Sequence, residues 1–397
     1  MNEVVLNDIC ELIVDCPHST AYDEGTGYPL VRTPNIGRGR LIYSGMHRVC
    51  EEVYNRRNAR AIPQTNDLIF AREATAGNVA LIQEGEKVCL GQRTVLIRPN
   101  ASLVNPAFLT YYLLAPEQQY KLLSTANGAT VAHVNMPTIR NLKLSLPDLP
   151  TQHRIATILS RYDSLIENYQ KQIKLLEEAA QRLYKEWFID LRFPGHENTN
   201  IIDGVPEGWE KKKVNSIIEL QSGFAFKSST FDDNGAYKIV TIKNVKDGAF
   251  DGDNVSRIVA IPEKMPKHCV LADGDILLSL TGNVGRVCIV NGKNYLLNQR
   301  VAKLATDFKA FTYCLFRSRE MFIEINNLAN GAAQQNVSPI RIGEMKILLP
   351  NNKLLQEFES IVFKSIARII SLQSQLRLLT EARDRLLLKL MSGEIEV

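Results

Sequence analysis

The sequence predicts an α+β protein: two similar mixed α/β domains, separated by two long α-helices that form an antiparallel coiled coil, in a pseudo-two-fold internal repeat. Three observations carry this prediction. Matching segments recur in the same order about 200 residues apart, each copy contains strand–turn–strand patterns, and each copy ends in a heptad repeat. A chain of 397 residues has room for two such cores.

The internal repeat is visible in ordered pairs of segments. LNDICEL (6–12) matches VNSIIEL (214–220), and the Gln-Arg pair at 92–93 recurs at 299–300. The longest match joins NGATVAHVNMPTIRNLKLSLP (127–147) to NGAAQQNVSPIRIGEMKILLP (330–350), at a spacing of 203 residues. Self-similarity at a nearly fixed period indicates a duplicated structural unit.

The first part of each copy reads as mixed strand and helix. DLIFAREATAGNVALI (67–82) and DILLSLTGNVGRVCIV (275–290) are aliphatic runs interrupted by Gly and Asn, which is typical of strand, turn and strand. FLTYYLLAPEQQYKLLS (108–124) and FTYCLFRSREMFIEINNLA (311–329) have apolar residues at spacings of three and four, so we expect helices there.

The second part of each copy is a long helix with apolar residues every seven positions, a coiled-coil pattern. Each helix is expected to begin just after a proline (Pro150, Pro350) and to end near a glycine (Gly195, Gly393). In the second helix, Arg383 and Ser365 interrupt the seam. Since neither helix can bury its apolar seam alone, we expect the two helices to pack against each other. The sequence therefore predicts a first globular domain at 1–150, a first long helix at 151–193, a linker at 194–210, a second globular domain at 211–350 and a second long helix at 351–397.

Charge is distributed unevenly along the chain. The net charge is only +4, but residues 32–72 contain eight arginines against three acidic residues. A local basic surface on a balanced protein favours a nucleic-acid binder that also has protein partners. The alternative is an ordinary solvated charged face.

Several function classes are not supported by the sequence. There is no phosphate-binding loop, no paired Cys/His metal spacing and no methyltransferase motif, so we expect neither intrinsic catalysis nor a metal site. The seven cysteines are scattered and odd in number, which indicates reduced thiols in a cytoplasmic protein. No leader peptide and no membrane span are expected.

LPDLPTQHRIATILSRYDSLIENYQKQIKLLEEAAQRLYKEWFIDLRFPG (146–195) resembles the central conserved helix of the specificity subunits of type I restriction-modification enzymes. GVPEGWE (204–210) is similar to the usual entry to their second recognition domain, and LLPNNKLLQEF (348–358) to their distal conserved region. The resemblance implies a non-catalytic subunit whose two target recognition domains each read one half of a bipartite, asymmetric site in double-stranded DNA.

The resemblance also implies partners. Two modification subunits would dock on the helices, carry S-adenosylmethionine and methylate adenine, and restriction subunits would use ATP and Mg²⁺, so no cofactor is expected in this chain. Two readers on one side of the duplex would have half-sites about 34–36 Å apart. With half-sites of about four base pairs, the unread gap would be about six base pairs.

Candidate DNA contacts are Arg and Lys for phosphates and guanine, and Asn and Gln for adenine. For any single residue an ordinary surface role is the alternative. The candidates are Arg32, Arg38, Arg40, Arg56, Arg57, Arg72 and Arg93 in the first copy, and Lys227, Lys243, Asn244, Lys246, Asn283, Arg286, Arg300, Gln334 and Gln335 in the second.

The first long helix ends in an aromatic cluster, Trp187, Phe188 and Phe193, beside Arg192. It is either core or linker packing, or an interface for a partner subunit, because clustered aromatic residues beside arginine are typical of interface hot spots. Two other functions also stay open: a recognition subunit whose partner fuses methyltransferase and nuclease, and a coiled-coil scaffold that does not bind DNA.

Overall fold

The computed structural model describes residues 2–124, 133–329 and 335–397. It divides into two compact units. Unit 1 comprises Met1–Leu165 with Leu379–Val397, and unit 2 comprises Ile166–Leu378. Each unit therefore contains one globular part and one segment of each long helix. No helix within the three described ranges is both long and apolar enough to cross a lipid bilayer.

Unit 1 is built from short strands whose buried residues are mainly β-branched and aliphatic. Its globular part contains β1 (Asn2–Val5), β2 (Cys10–Asp15), β3 (Tyr28–Val31), β4 (His47–Val49), α1 (Glu51–Arg57), β5 (Leu68–Ala71), β6 (Val79–Leu81), β7 (Cys89–Leu90), β8 (Thr94–Pro99), α2 (Pro106–Leu114), α3 (Pro116–Leu123), α4 (Met136–Arg140) and β9 (Lys143–Leu146). The sheets are an antiparallel β2-β8-β5-β6 sheet, a β4-β3-β7 sheet in which β3 and β7 are parallel, and a β1-β9 pair.

The chain then continues through α5 (Leu149–Tyr184) into unit 2 and ends in α9. The elements after α5 are β10 (Ile201–Ile202), β11 (Val205–Pro206), β12 (Glu210–Lys213), β13 (Glu219–Ser222), β14 (Tyr237–Val240), β15 (Ser256–Ile258), β16 (Val270–Leu271), β17 (Ile276–Ser279), β18 (Val287–Ile289), β19 (Tyr295–Leu297), β20 (Val301–Ala305), α6 (Lys309–Arg317), α7 (Arg319–Leu328), α8 (Pro339–Gly343), β21 (Lys346–Leu349) and α9 (Asn352–Ser392).

The sheets of unit 2 repeat those of unit 1. The order β13-β20-β17-β18 corresponds to β2-β8-β5-β6, and β12 pairs with β21 as β1 pairs with β9. The parallel pair β3–β7 recurs as β14–β19, with β16 as an additional edge strand. From α2 onward the spacing is constant, because α6, α8, β21 and α9 each begin 203 residues after α2, α4, β9 and α5. The predicted duplication is therefore confirmed.

The structure corrects several helix boundaries. The helical stretches after β8 and after β20 each consist of two helices. They are broken at Ala115–Pro116 and at Ser318, which caps α7 by accepting a hydrogen bond from Met321. Helix α5 begins at Leu149, so Pro150 lies within its first turn, where its missing N–H costs nothing.

The end of α5 also differs from the prediction. A π-helical turn, Lys185–Ile189, follows Tyr184, and Leu191 has a φ of 58°, so the helical segment stops before Gly195. The left-handed conformation of Leu191 ends the helix without glycine. For α9 the prediction is confirmed, because Gly393 follows directly with a φ of 76°.

The two long helices pack against each other in both units. In unit 1, Leu159 near the start of α5 shares a buried core with Leu390 near the end of α9. In unit 2, Trp187 beyond the end of α5 lies 5.7 Å, centroid to centroid, from Phe358 near the start of α9. The start of one helix thus accompanies the end of the other, which confirms the antiparallel pairing.

Arg383 interrupts the apolar seam because it compensates a buried acid. Its Nη1 lies 2.8 Å from Oδ1 of Asp163, whose side chain is only 4% exposed. The Tyr111 hydroxyl donates to the other carboxylate oxygen of Asp163 at 2.5 Å. A buried carboxylate is tolerated only when it is paired and hydrogen-bonded, so the seam is polar at this level in unit 1.

Candidate nucleic-acid interface

Three loops of unit 2 are held together at one edge of the β13-β20-β17-β18 sheet. They are the β17–β18 hairpin loop (280–286), the turn at 298–300 and the stretch 335–338. Leu280 N donates to the Arg300 carbonyl at 3.0 Å, Val337 N donates to the Leu280 carbonyl at 2.9 Å, and Gly282 N donates to the Gln335 carbonyl at 2.9 Å. We call this edge the unit 2 rim.

The unit 2 rim encloses a polar pocket of about 420 Å³. The Thr281 hydroxyl donates to Oδ1 of Asn336 at 2.8 Å across it. Neutral hydroxyls and amides line the pocket, with a single guanidinium: Ser222, Thr281, Gln299, Arg300, Asn336 and Ser338. Hydroxyl and amide groups both donate and accept hydrogen bonds, as the edges of nucleic-acid bases require.

Unit 1 has the equivalent loops, and two of the three backbone hydrogen bonds recur among its described residues. Arg72 N donates to the Arg93 carbonyl at 2.9 Å, and Val134 N donates to the Arg72 carbonyl at 3.0 Å. The unit 1 rim therefore consists of the β5–β6 hairpin loop (72–78), the turn at 91–93 and residues 133–135. Because the backbone bonds match, the two rims can be compared residue by residue.

The side chains of the unit 1 rim form a chain of charges. Arg72 lies 2.7 Å from Asp15 and donates to the Val134 carbonyl at 3.0 Å. Glu73 links two other groups, with one carboxylate oxygen 2.6 Å from His133 Nδ1 and the other 2.7 Å from Arg93 Nη1. The positions occupied by neutral groups in unit 2 thus carry ion pairs in unit 1.

The contacts of His133 fix its tautomer. Its Nε2 lies 2.9 Å from Arg72 Nη2. A guanidinium only donates hydrogen bonds, so Nε2 accepts and the ring proton resides on Nδ1, which donates to Glu73. Every polar group of this network therefore has a defined role, and the network rigidifies the unit 1 rim.

Most of the predicted DNA contacts lie on the surface or partly so. Two of them, Arg93 and Arg300, occupy equivalent positions on the two rims, beside Asn283 and Gln335 in unit 2. Those that are exposed are Arg38, Arg56, Arg93, Lys227, Lys243, Lys246, Asn283, Arg300 and Gln335. Those that are half-buried are Arg32, Arg40 and Arg286. Gln334 lies outside the described residues.

Three predicted contacts belong to the interior, and we correct them. Arg57 is 4% exposed and donates to the carbonyls of Leu90 and Ser19. Asn244 is fully buried and caps its own loop, accepting from Thr241 N. Arg72 is 8% exposed and is held in the network described above. Asn244 and Arg72 are satisfied by partners inside the fold and the Arg57 side chain is buried, so none of the three is presented to a ligand.

The arginine-rich stretch at 32–72 is largely a structural feature. Six of its eight arginines donate side-chain hydrogen bonds to backbone carbonyl groups: Arg32, Arg38, Arg48, Arg57, Arg60 and Arg72. The carbonyl groups that accept these bonds lie in several different segments of unit 1, from Asp15 to Val134, so the arginines connect separate parts of the fold. Local charge excess therefore overstated the number of cations available to a nucleic acid.

The aromatic cluster at the end of α5 is packed inside unit 2. Trp187, Phe188 and Phe193 are each about 6% exposed or less. Phe188 contacts Phe311 and Phe358, with ring centroids 5.1 and 4.9 Å apart. Of the two interpretations, core packing is the one the structure favours for these three rings. Arg192 is exposed, and its assignment to a partner interface stays a prediction.

The sequence analysis missed the polar groups that shape both rims. Glu73, His133, Thr281 and Asn336 are ordinary polar residues in sequence and acquire meaning only through their partners. One signal was available, because the 203-residue spacing aligns His133 with Asn336 within the longest repeated segment.

The three described ranges contain no group of three or more His, Cys, Asp or Glu side chains that could hold a metal ion. All seven cysteines are free thiols, as predicted. Burial raises the pKa of Cys89 to about 11, so this thiol is protonated at neutral pH and is a poor nucleophile.

The chain is similar to known proteins over most of its length. A family model described as the type I restriction modification DNA specificity domain matches residues 1–178 and 206–378. The chain is 27% identical to the type I restriction enzyme MjaIX specificity subunit of Methanocaldococcus jannaschii, over 99% of this chain and 93% of that protein. It is 29% identical to the MjaVIII specificity subunit of the same organism, over 86% and 81%. The crystal structure of the type I restriction-modification S subunit from M. genitalium superposes with a TM-score of 0.59 at 16% identity, covering 98% and 95%.

Proposed function

Because the chain belongs to the family of type I restriction-modification DNA specificity subunits and has two recognition domains, we propose that each rim reads one half of a bipartite DNA site. The observation that carries this proposal is the pair of rims: one backbone framework, presented twice, with different side chains. Two unlike readers require two unlike half-sites, so the target is asymmetric. The helices α5 and α9 set the spacing between the half-sites.

The unit 2 rim suits base edges through its neutral donors and acceptors. Arg300 can bind O6 and N7 of guanine with two hydrogen bonds, and Asn283 or Gln335 can bind N6 and N7 of adenine. The exposed lysines Lys243 and Lys246 suit phosphates. In unit 1, Arg93 is the exposed guanidinium at the equivalent position, and Glu73 beside it can accept a hydrogen bond from N4 of cytosine.

Under this proposal, partner subunits carry out the methylation and restriction reactions. Two modification subunits bind S-adenosylmethionine and methylate adenine, and restriction subunits use ATP and Mg²⁺. This chain supplies recognition and a docking surface on its helices. Reconstitution with purified modification subunits tests the assignment, since methyl transfer to a target duplex should require both this chain and its partners.

Direct DNA binding is the first test. The purified chain should bind duplex DNA with an affinity that falls linearly on a logarithmic salt scale, with a slope of about −0.9 per phosphate neutralised. Fluorescence anisotropy between about 50 and 200 mM salt measures it. Binding that is absent at low salt, by the chain alone and by its complex with modification subunits, would contradict the proposal. Mapping of methylated adenines in cells with and without the gene then identifies the target.

A further inference from the structure

Unit 1 contains an apolar cavity that the recognition of DNA does not use. It has a volume of about 500 Å³ and lies between the start of α5 and the end of α9. Its deep wall consists of Phe108, Tyr112 and Leu390, each 6% exposed or less. Met391 and Ile395 form its mouth, and Arg154 stands at the edge. We call this cavity the unit 1 socket.

The internal repeat identifies the equivalent place in unit 2. At the constant spacing of 203 residues, Phe108 corresponds to Phe311 and Ile155, which also lines the socket, corresponds to Phe358. Those two rings form the wall against which the aromatic cluster packs: Phe188 lies 5.1 Å from Phe311 and 4.9 Å from Phe358. The same groove thus exists in both units.

The groove of unit 2 is filled by four aromatic side chains. Trp187 and Phe188 enter from the end of α5, and Phe193 and Trp209 follow in the connection to β12, with their own rings 5.0 Å apart. All four are about 6% exposed or less. Aromatic rings bury 150–250 Å² each, so this cluster stabilises unit 2 substantially.

The groove of unit 1 is occupied by smaller side chains. The spacing of 203 residues places Leu390 at the position of Trp187 and Met391 at the position of Phe188. It places Glu396 at the position of Phe193. Smaller side chains on the same walls leave the 500 Å³ cavity.

We propose that the unit 1 socket binds one large aromatic side chain of a protein partner, a tryptophan or phenylalanine on the surface of a modification subunit. The chain itself shows what fits these walls, because it places such rings there in unit 2. The Arg154 guanidinium at the edge adds an attraction for the face of an aromatic ring. An inserted aromatic side chain in a desolvated pocket is the usual core of an interface hot spot. The identity of the partner rests on the function proposed above, whereas the socket itself does not.

The socket can be tested with indole as a probe of the full-length chain. Met391 carries a methyl group at the mouth, so ¹³C-methyl-methionine NMR should show a saturable, ring-current shift of its resonance on titration with indole. Met345, in unit 2, should not shift. Leu390→Trp places an indole ring in the socket from within and should abolish the shift. The matched control is Leu103→Trp, which adds the same ring at a position that is 48% exposed, lies outside the two long helices and does not line the socket.

Assembly with the purified modification subunit tests the occupant. Leu390→Trp should weaken complex formation at least tenfold, measured by isothermal titration calorimetry, while complex formation by Leu103→Trp and DNA binding by the chain alone stay unchanged. Ile395→Trp fills the mouth of the socket from the other side. It replaces Leu390→Trp in the assembly measurement if Leu390→Trp lowers the melting temperature. Equal assembly of wild type and filled variants overturns the proposal, as does the absence of a saturable indole shift. If neither the wild type nor any variant assembles with the modification subunit, the proposed partner is wrong. The indole titration then decides by itself whether the socket binds an aromatic ring.

Discussion

The two rims share their backbone and differ in their charges. Leu280 and Arg72 hold equivalent positions, each donating its N–H to the carbonyl of an arginine in the neighbouring turn at 3.0 and 2.9 Å. In unit 2 the polar groups that line the pocket are neutral apart from Arg300. In unit 1, Asp15 pairs with Arg72, and Glu73 pairs with Arg93 and accepts a hydrogen bond from His133. Backbone hydrogen bonding therefore fixes the framework of each rim, and the side chains on it are free to diverge.

The largest expected effect comes from giving unit 1 the residue of unit 2. Arg72→Leu removes the cation that pairs with Asp15 and His133 in a mostly buried position. Breaking one side of such a network should lower the free energy of unfolding by about 3 kcal/mol. Urea denaturation, with hydrogen exchange of unit 1 peptides, measures the loss.

The matched control for that substitution is Arg93→Leu. Arg93 also pairs with an acid of the network, but its side chain is 61% exposed. An exposed ion pair contributes less than about 1 kcal/mol, so this variant should unfold almost as wild type does. If both variants lose the same stability, the network is not a buried unit and the contrast between the rims is only one of surface charge.

A middle-sized effect is expected on DNA binding. Arg300 has no carboxylate partner among the described ion pairs, whereas Glu73 neutralises Arg93. Arg300→Ala should therefore weaken binding of the target duplex by about 1–3 kcal/mol. Glu73→Gln should instead release Arg93 for phosphate and steepen the logarithmic salt dependence by about 0.9. Anisotropy titrations measure both changes.

Lys293→Ala is the control for these titrations. Lys293 is an exposed cation of unit 2 in the connection between β18 and β19, beyond the end of β18 that is remote from the hairpin loop. It should change affinity little. A loss equal to that of Arg300→Ala would indicate that DNA binding depends on total charge and that the rims have no special part in it.

The sequence predicted what depends on local pattern and on repetition. The hairpins β5–β6 and β17–β18, the long helices and the duplicated topology follow from periodicity and turn residues. Burial of charged side chains did not follow, because it depends on distant partners: Arg383 meets Asp163 at a separation of 220 residues, and Arg57 meets Leu90 across 33. The rims escaped prediction for the same reason, since each assembles three loops far apart in sequence.

The two units also differ in how each partners an acidic side chain of α5, Asp163 in unit 1 and Glu177 in unit 2, and this predicts the smallest effect. In unit 1, Arg383 lies 2.8 Å from Asp163. In unit 2, Glu177 accepts from the Tyr313 hydroxyl at 2.7 Å, but Arg317 is 3.4 Å away. Burial raises the pKa of Glu177, and the hydrogen bond from Tyr313 and the charge of Arg317 only partly oppose this.

The raised pKa of Glu177 makes the free energy of unfolding depend on pH in a defined direction. Between the ordinary glutamate value, about 4.3, and the raised folded value, the folded chain holds a proton on Glu177 that the unfolded chain has released. The free energy of unfolding therefore falls as the pH rises through this window. Glu177→Gln cannot titrate and keeps an acceptor for Tyr313, so its stability should decline less across the window. Urea denaturation at a series of pH values measures the difference. Glu178→Gln, at the exposed neighbouring position, should keep the slope of the wild type, and equal slopes in both variants would show that Glu177 carries no buried charge.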